Sequence, residues 1–302
     1  MANSAEKQVT SRPAPAPYRP SLFTRLQQFV FASSKDHAFL DRPYFGVVMA
    51  LTPKRWKRPL ANYLLALSPH YFLPNWEKKY PNELTYADKV AANAEEGLGY
   101  RRKLVNQLII PHAAADASML DFGCGPGVIA IMAAPHVGKV TAVDVSRGVI
   151  AISKALDHPE NVEFVANRRN DLAFIASESL DLVFSFVVLQ HLKPEQVESF
   201  LKEFYRVLKP GGKAVLQIKL REQGQPRHDP GVGGWLHRRT MLRMVFYTRR
   251  QMLQMLKRSG FREISIRNLR EYEGFEKELD NGQIIITGKP GPVPAAAEQA
   301  IA

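Results

Sequence analysis

The sequence predicts an α/β protein: a doubly wound, seven-stranded, mostly parallel sheet preceded by an N-terminal helical extension. Three observations carry this. Short segments rich in apolar and β-branched residues recur from residue 118 onward, helical stretches separate most of them, and Gly123-Cys124-Gly125-Pro126-Gly127 stands where the first strand hands over to a helix. Strand, helix, strand in repetition demands crossovers, and crossovers cover both faces of a parallel sheet.

The first twenty residues end in Arg12-Pro13-Ala14-Pro15-Ala16-Pro17-Tyr18-Arg19-Pro20 and read as a disordered arm, because closely spaced prolines forbid a regular helix and little there can be buried. Residues 21–84 read as a basic and apolar helical extension. Leu22, Phe23, Leu26, Phe29 and Val30 recur at near-helical spacing after Ser21, and the apolar stretches Tyr44 to Leu51 and Leu60 to Leu67 flank Lys54-Arg55-Trp56-Lys57-Arg58. This pattern fits a cap packed on the main domain or an element lying on a membrane surface, and the cap is preferred because exposed apolar area is costly. The main domain is expected over 85–289, opening with a helix near Tyr86 to Ile110. Strands are expected at Ser118 to Cys124, Lys139 to Val145, Asn161 to Ala166, Asp181 to Val187 and Lys213 to Leu220. Helices are expected near Val128 to Ala134, Arg147 to Leu156 and Pro194 to Leu208, the last stopped by Lys209-Pro210-Gly211-Gly212. An insert at 221–247 precedes a helix at Thr248 to Ser259 and two further strands, Arg262 to Leu269 and Gln283 to Gly288; residues 290–302 form a flexible tail.

Composition narrows the functional classes. The 302 residues are 45% apolar and 23% charged, enough to bury a substantial core, and the single cysteine, Cys124, excludes an intramolecular disulfide and a multi-cysteine zinc site. No metal site is expected. No apolar run reaches the roughly 18 to 20 residues of a spanning helix, and no basic-then-apolar leader opens the chain, so it is read as cytoplasmic. The net charge of +12 is uneven: residues 1–80 and 221–270 are strongly basic, whereas 81–220 are nearly neutral. Basic flanks favour acidic substrates, anionic lipid or nucleic acid as partners, or serve only solubility.

The glycine cluster carries the chemistry. Glycines at a strand end let backbone approach a ligand closely. Their spacing, G-x-G-x-G, departs from the G-x-G-x-x-G of dinucleotide sites and argues against nicotinamide or flavin. The second strand ends in Val143-Asp144-Val145, with Asp144 21 residues beyond Gly123, where a carboxylate can accept from both hydroxyls of a ribose. The bland alternative is a tight turn with Asp144 capping the next helix.

Leu120 to Gly127, Ala142-Val143-Asp144-Val145-Ser146, Ser179-Leu180-Asp181-Leu182-Val183-Phe184-Ser185 and Val207-Leu208-Lys209-Pro210-Gly211-Gly212 together resemble, in order, the motifs of class I S-adenosylmethionine-dependent methyltransferases, in their type 11, small-molecule branch. The resemblance covers about residues 85 to 289. It implies a Rossmann-like methyltransferase fold whose last strand, Gln283 to Gly288, runs antiparallel between its neighbours, and S-adenosyl-L-methionine as cofactor. It implies that Gly123 and Gly125, with Gly127 closing the loop, pass beneath the methionyl and ribose portions. Asp121 would fix the loop near the cofactor's amino end, Asp144 would bind the ribose, and Val145 would pack on adenine. Where the family carries an acidic residue for the adenine amino group this chain has Arg168, leaving Asn170 or Asp171 to serve through a rearranged loop.

Methyl transfer is an in-line displacement on an activated carbon, so alignment supplies much of the rate and a general base is needed only for some acceptors. His191, just beyond the fourth strand, is the candidate base, with a packing role as its alternative; Tyr205 and His237 are further candidates. Acceptor choice is expected to reside in the extension and in the insert with Trp235, His237, Arg238, Arg239, Arg243, Phe246 and Tyr247, a mixture suited to a small-molecule or lipid-like acceptor. Contact with an anionic membrane surface is open through residues 21–67. Nucleic acid ranks lower, since no RNA-binding motif is present. The competing classes are an RNA methyltransferase and an assembly protein that keeps the pocket without transferring methyl.

Overall fold

The computed structural model describes residues 43–66, 86–222, 244–276 and 282–291. The arm, the flanks of the extension at 21–42 and 67–84, most of the insert and the tail lie outside these residues. Two helices open the described chain, α1 (Pro43–Leu51) and α2 (Lys54–Ala66), followed by α3 (Tyr86–Leu104), which continues through a wide turn at Val105–Ile109 and a tight one at Ile110–His112. The helix expected to run to Ile110 thus changes pitch at Val105, ahead of Pro111, whose ring forbids a further α-helical turn.

Next come β1 (Ser118–Phe122), α4 (Val128–Ala133), β2 (Lys139–Asp144), α5 (Arg147–Ala155), β3 (Val162–Ala166), β4 (Leu180–Ser185), α6 (Pro194–Val207), β5 (Leu208–Ile218), β6 (Leu220–Arg221), β7 (Tyr247–Thr248), α7 (Arg249–Arg258), β8 (Arg262–Asn268) and β9 (Gln283–Gly288). Seven strands form one sheet in the order β3-β2-β1-β4-β5-β9-β8. The first five are parallel, and β9 lies antiparallel between β5 and β8, as expected. The order reverses between β1 and β4, and the crevice at such a switch point is where open α/β sheets bind ligands.

Strand alternation sends Leu120 and Phe122 to one face and Met119 to the other. On the first face α6 buries Val197, Phe200, Leu201, Phe204 and Val207, one stripe at helical spacing. Phe122 meets Phe200 and Phe204 with ring centroids 4.6 and 5.0 Å away. Each such side chain contributes about 1.5–3 kcal/mol on burial. On the second face Leu104, Leu108 and Ile109 pack against Met119, Leu182 and Phe184.

Two polar clamps set the sheet and its longest loop. Asp181 accepts from Ser118 N–H (2.8 Å) and from Lys209 Nζ at both oxygens (2.9 and 2.7 Å), tying β1, β4 and β5 together at their shared lower edge. Arg206 grips Glu203 through two nitrogens and donates to the carbonyls of Leu172 and Ile175, holding the β3–β4 loop on α6. The Arg206 guanidinium holds the Glu203 carboxyl below the usual range. β5 begins at Leu208 rather than Lys213: Leu208 pairs with Leu180 ahead of a register shift, and Gly211, at φ +85°, turns the chain within the strand.

Candidate cofactor and acceptor site

β1 delivers Asp121 and the glycine loop to the upper edge of the sheet. Gly123 N–H and Cys124 N–H both donate to the Val143 carbonyl (2.7 and 2.9 Å), which fastens the loop to β2, and Gly127 N–H donates to Cys124 O (2.9 Å). Gly123, Gly125 and Gly127 all have positive φ, at +78°, +52° and +77°. The three differ in what a side chain would meet. A Cβ on Gly123 would lie 2.1 Å from Val188 Cγ2, and one on Gly127 2.2 Å from Phe164 Cε1, whereas one on Gly125 meets nothing within 4 Å. The outer glycines serve packing, and the middle one borders open space.

Two carboxylates belong to this edge of the sheet, Asp144 bonded to the loop and Asp121 buried at the end of β1. Asp144 Oδ2 accepts Gly125 N–H (3.0 Å) and Oδ1 accepts Ser146 N–H (2.9 Å), so the side chain shapes the loop and caps the approach to α5. Both the turn-and-cap reading and the ribose reading are geometrically open, since each carboxylate oxygen takes more than one hydrogen bond. Asp121 is buried, and its Oδ2 has no hydrogen-bond partner among the described residues. Burial, and then the charge of Asp144, push its carboxyl up to about 7 against the opposing hydrogen bond from the Ala130 backbone. A buried, half-satisfied carboxylate is a demand for a cationic donor. Val145 follows β2 about half exposed, an apolar surface open to solvent.

Cys124 is buried, its Sγ against Gly125 O (3.4 Å), and burial together with the two carboxylates raises its thiol well above the ordinary value. It is a small space-filler here, not a nucleophile.

The β3–β4 loop holds the other candidates. Asn167 N–H donates to Asp144 O (2.8 Å), and exposed Arg168 follows. Asn170 Oδ1 accepts from Gln196 Nε2 (2.8 Å), while Asp171 Oδ1 accepts Ala173 N–H (3.2 Å) and Oδ2 pairs with Arg169 (3.3 Å). These contacts turn Asn170 toward α6 and Asp171 into its own loop.

His191 lies in the tight turn Leu189–His191 beyond β4, and its N–H donates to Val188 O (2.8 Å). That turn is braced from an unforeseen quarter. Gln190, buried, accepts Lys219 N–H at Oε1 (3.2 Å), and its carbonyl accepts Val245 N–H (2.7 Å), so both ends of the insert are tied to the residue next to His191. β6 and β7 close the base of the insert as a parallel pair, Leu220 with Tyr247 and Arg221 with Thr248. Val187 is the second surprise. It has φ +61°, rare for a β-branched residue, and is held there by Gln217 Oε1 accepting its N–H at 2.8 Å. No local pattern signals either glutamine, because each acts on a segment distant in sequence. Tyr205 is removed from the candidates: it packs edge-on against Phe261 (5.4 Å) at the end of α6 that leads into β5, the opposite edge of the sheet. His237 lies outside the described residues.

Fold and site together define a doubly wound domain with a positive-φ glycine loop after β1 at the switch point of its sheet, held by Asp144 at the tip of β2. Residues 120–216 match the family model described as "Methyltransferase domain". The biotin biosynthesis bifunctional protein BioHC of Cellvibrio japonicus is 31% identical over 130 residues, which is 42% of this chain and 25% of that one. The ubiquinone biosynthesis O-methyltransferase of Idiomarina loihiensis is 26% identical over 186 residues, 57% of this chain and 74% of that one. Phosphoethanolamine N-methyltransferase 3 of Arabidopsis thaliana is 33% identical over 97 residues, 32% of this chain and 20% of that one. The chain thus spans a quarter or less of the length of two of these three relatives. Residues 120–216 are thus similar to the methyltransferase domains of S-adenosylmethionine-dependent enzymes.

Proposed function

We propose that this protein transfers a methyl group from S-adenosylmethionine to a small-molecule or lipid-like acceptor. The single observation that carries the reading is the glycine loop at the switch point of the sheet, where Gly125 borders open space and the buried Asp121 Oδ2 lacks a hydrogen-bond partner among the described residues. Its residues fit this cofactor: Asp121 would take the amino group, Asp144 the ribose hydroxyls, and Val145 one face of the adenine. Asn170 and Asp171 would have to exchange their present partners to reach the adenine amino group. The relatives' printed names, covering ubiquinone, biotin and phosphoethanolamine chemistry, favour a small acceptor over RNA.

When bound, the cofactor supplies a methyl group on a sulfonium, already activated for in-line attack. The residues of this chain bind and orient. The glycine loop, fastened through Val143 O, and the braced turn after β4 lie at the same edge of the sheet, so their rigidity sets the alignment on which the rate depends. His191 would accept the acceptor's proton at a ring nitrogen where the acceptor is a hydroxyl or an acidic carbon.

Release of S-adenosylhomocysteine in the presence of a panel of phenolic, amine, carboxylate and lipid-like acceptors tests the proposal. Cofactor binding with no turnover on any of them would instead favour an assembly or regulatory protein. Asp144→Ala is expected to weaken S-adenosylmethionine binding by about 1.5–3 kcal/mol for each charged bond lost, read by calorimetry on folded protein. His191→Gln is expected to lower turnover about 100-fold and to abolish a rise of activity with pH, leaving cofactor affinity unchanged. A variant with the wild-type pH profile would leave alignment as the whole mechanism.

A further inference from the structure

Among the described side chains, α1 and α2 dock on the domain through one buried side. Met49 and Ala61 are fully buried against Val149 and Ile152 of α5, forming a small core of their own. The other side of the same hairpin is apolar and uncovered: Val47 is 57% exposed, Val48 43%, Leu51 79% and Trp56 56%. Beside these side chains stand Lys54, Arg55, Lys57 and Arg58, and residues 43–66 contain no aspartate or glutamate. Lys54 touches Asp157 of the α5–β3 loop at 3.0 Å, but both side chains are 80% exposed, and such a pair holds little. The turn between the helices is fixed: Thr52 bonds back to Val48 O through both its N–H and its hydroxyl, and Trp56 N–H donates to Pro53 O.

We infer that this hairpin is a docking surface for an anionic lipid bilayer. Aliphatic side chains and an indole at the tip of a rigid turn, ringed by cations, suit the boundary between headgroups and acyl chains: the apolar groups leave water while the cations meet lipid phosphates. A polyanion such as nucleic acid would be met by the cations alone and would leave Val47, Val48 and Leu51 without a role. A second copy of this chain would bring two clusters of like charge together on a protein of net charge +12. The surface does not depend on the methyl-transfer reading, but it is fixed to α5, whose Ser146 cap directly follows Asp144 and Val145, so a docked protein holds its cofactor edge at a set attitude to the bilayer.

The test uses the full chain and sedimentation with vesicles of phosphatidylcholine alone or mixed with phosphatidylglycerol. The wild type is expected to bind the mixed vesicles and not the neutral ones, with affinity falling as salt is raised. Leu51→Glu with Trp56→Glu is expected to reduce partitioning at least tenfold, and each of Arg55→Gln, Lys57→Gln and Arg58→Gln about fivefold. All five positions face outward or lie at the rim, and unchanged melting temperatures will establish that folding is intact. Three results would overturn the inference: no binding to either vesicle, equal loss of RNA and vesicle binding in the charge variants with none in the Leu51 and Trp56 variants, or concentration-dependent self-association abolished by Leu51→Glu.

Discussion

Asp121→Asn is expected to stabilise the unliganded protein above neutral pH while crippling its hold on the cofactor. In the unfolded chain this carboxyl ionises near pH 4, whereas in the folded protein burial, reinforced by Asp144, keeps it protonated up to about pH 7. Between those limits the folded state binds the extra proton, so stability falls as pH rises from about 4 to about 7 and stays low beyond. The shift corresponds to on the order of 4 kcal/mol. Asparagine carries no charge to desolvate and can still accept from the Ala130 backbone, so the variant should lose this slope and unfold at higher denaturant at pH 8 than the wild type. The cofactor reverses the balance. An ammonium against Asp121 favours the carboxylate, so binding below pH 7 should release a proton, with a heat that depends on the buffer's ionisation enthalpy, and in Asp121→Asn that release should vanish. Equal stability of the two proteins from pH 5 to pH 8 would show that Asp121 is ionised and satisfied in the folded state, and would remove the amino-group role with it.

The parallel strands were legible because a strand buried on both faces must be a short apolar run bounded by polar or turn residues, and β9 was read to the residue on that basis. The turn at the glycines after β1 and the place of Asp144 at the tip of β2 were legible because glycine spacing and a carboxylate at a strand end are local features. What could not be read depends on groups far apart in sequence. β4 was expected to run to Val187 but ends at Ser185, because Gln217 captures the Val187 N–H and holds the backbone at positive φ, and nothing in Val187-Val188 announces it. Asn170 or Asp171 is expected to reach adenine only through a rearranged loop, and the partners such a rearrangement must break are invisible in the sequence: Gln196 on α6 holds the Asn170 side chain and Ser199 its carbonyl. Asp181, quoted as part of a family motif, proves to be a clamp for Ser118 and Lys209 at the edge away from the cofactor loop. The N-terminal hairpin was posed as a choice between cap and membrane element. Met49 and Ala61 make it a packed element, and the exposed face of the same helices leaves the second role standing as an inference.

Alanine at Gly125 and at Gly127 should separate binding from stability. Both glycines have positive φ, where a Cβ costs roughly 1–2 kcal/mol whatever surrounds it. At Gly127 the added methyl must also displace the ring of Phe164, which is buried between β2, β3 and α4 and has no room to give. Overpacking of that kind adds about 1–3 kcal/mol, so Gly127→Ala is expected to lose roughly 2–5 kcal/mol in total and to melt well below the wild type. Gly125→Ala meets no atom within 4 Å, so only the backbone penalty applies and the protein should remain folded. The same methyl, however, projects into the open space beside the loop, where the proposed cofactor must lie with its ribose close to the backbone. Cofactor affinity should therefore fall by at least tenfold in Gly125→Ala at a temperature where the variant is fully native. A folded Gly125→Ala protein with wild-type affinity for S-adenosylmethionine would mean that the cofactor does not cross this loop, and the assignment of Asp144 to the ribose would fall with it.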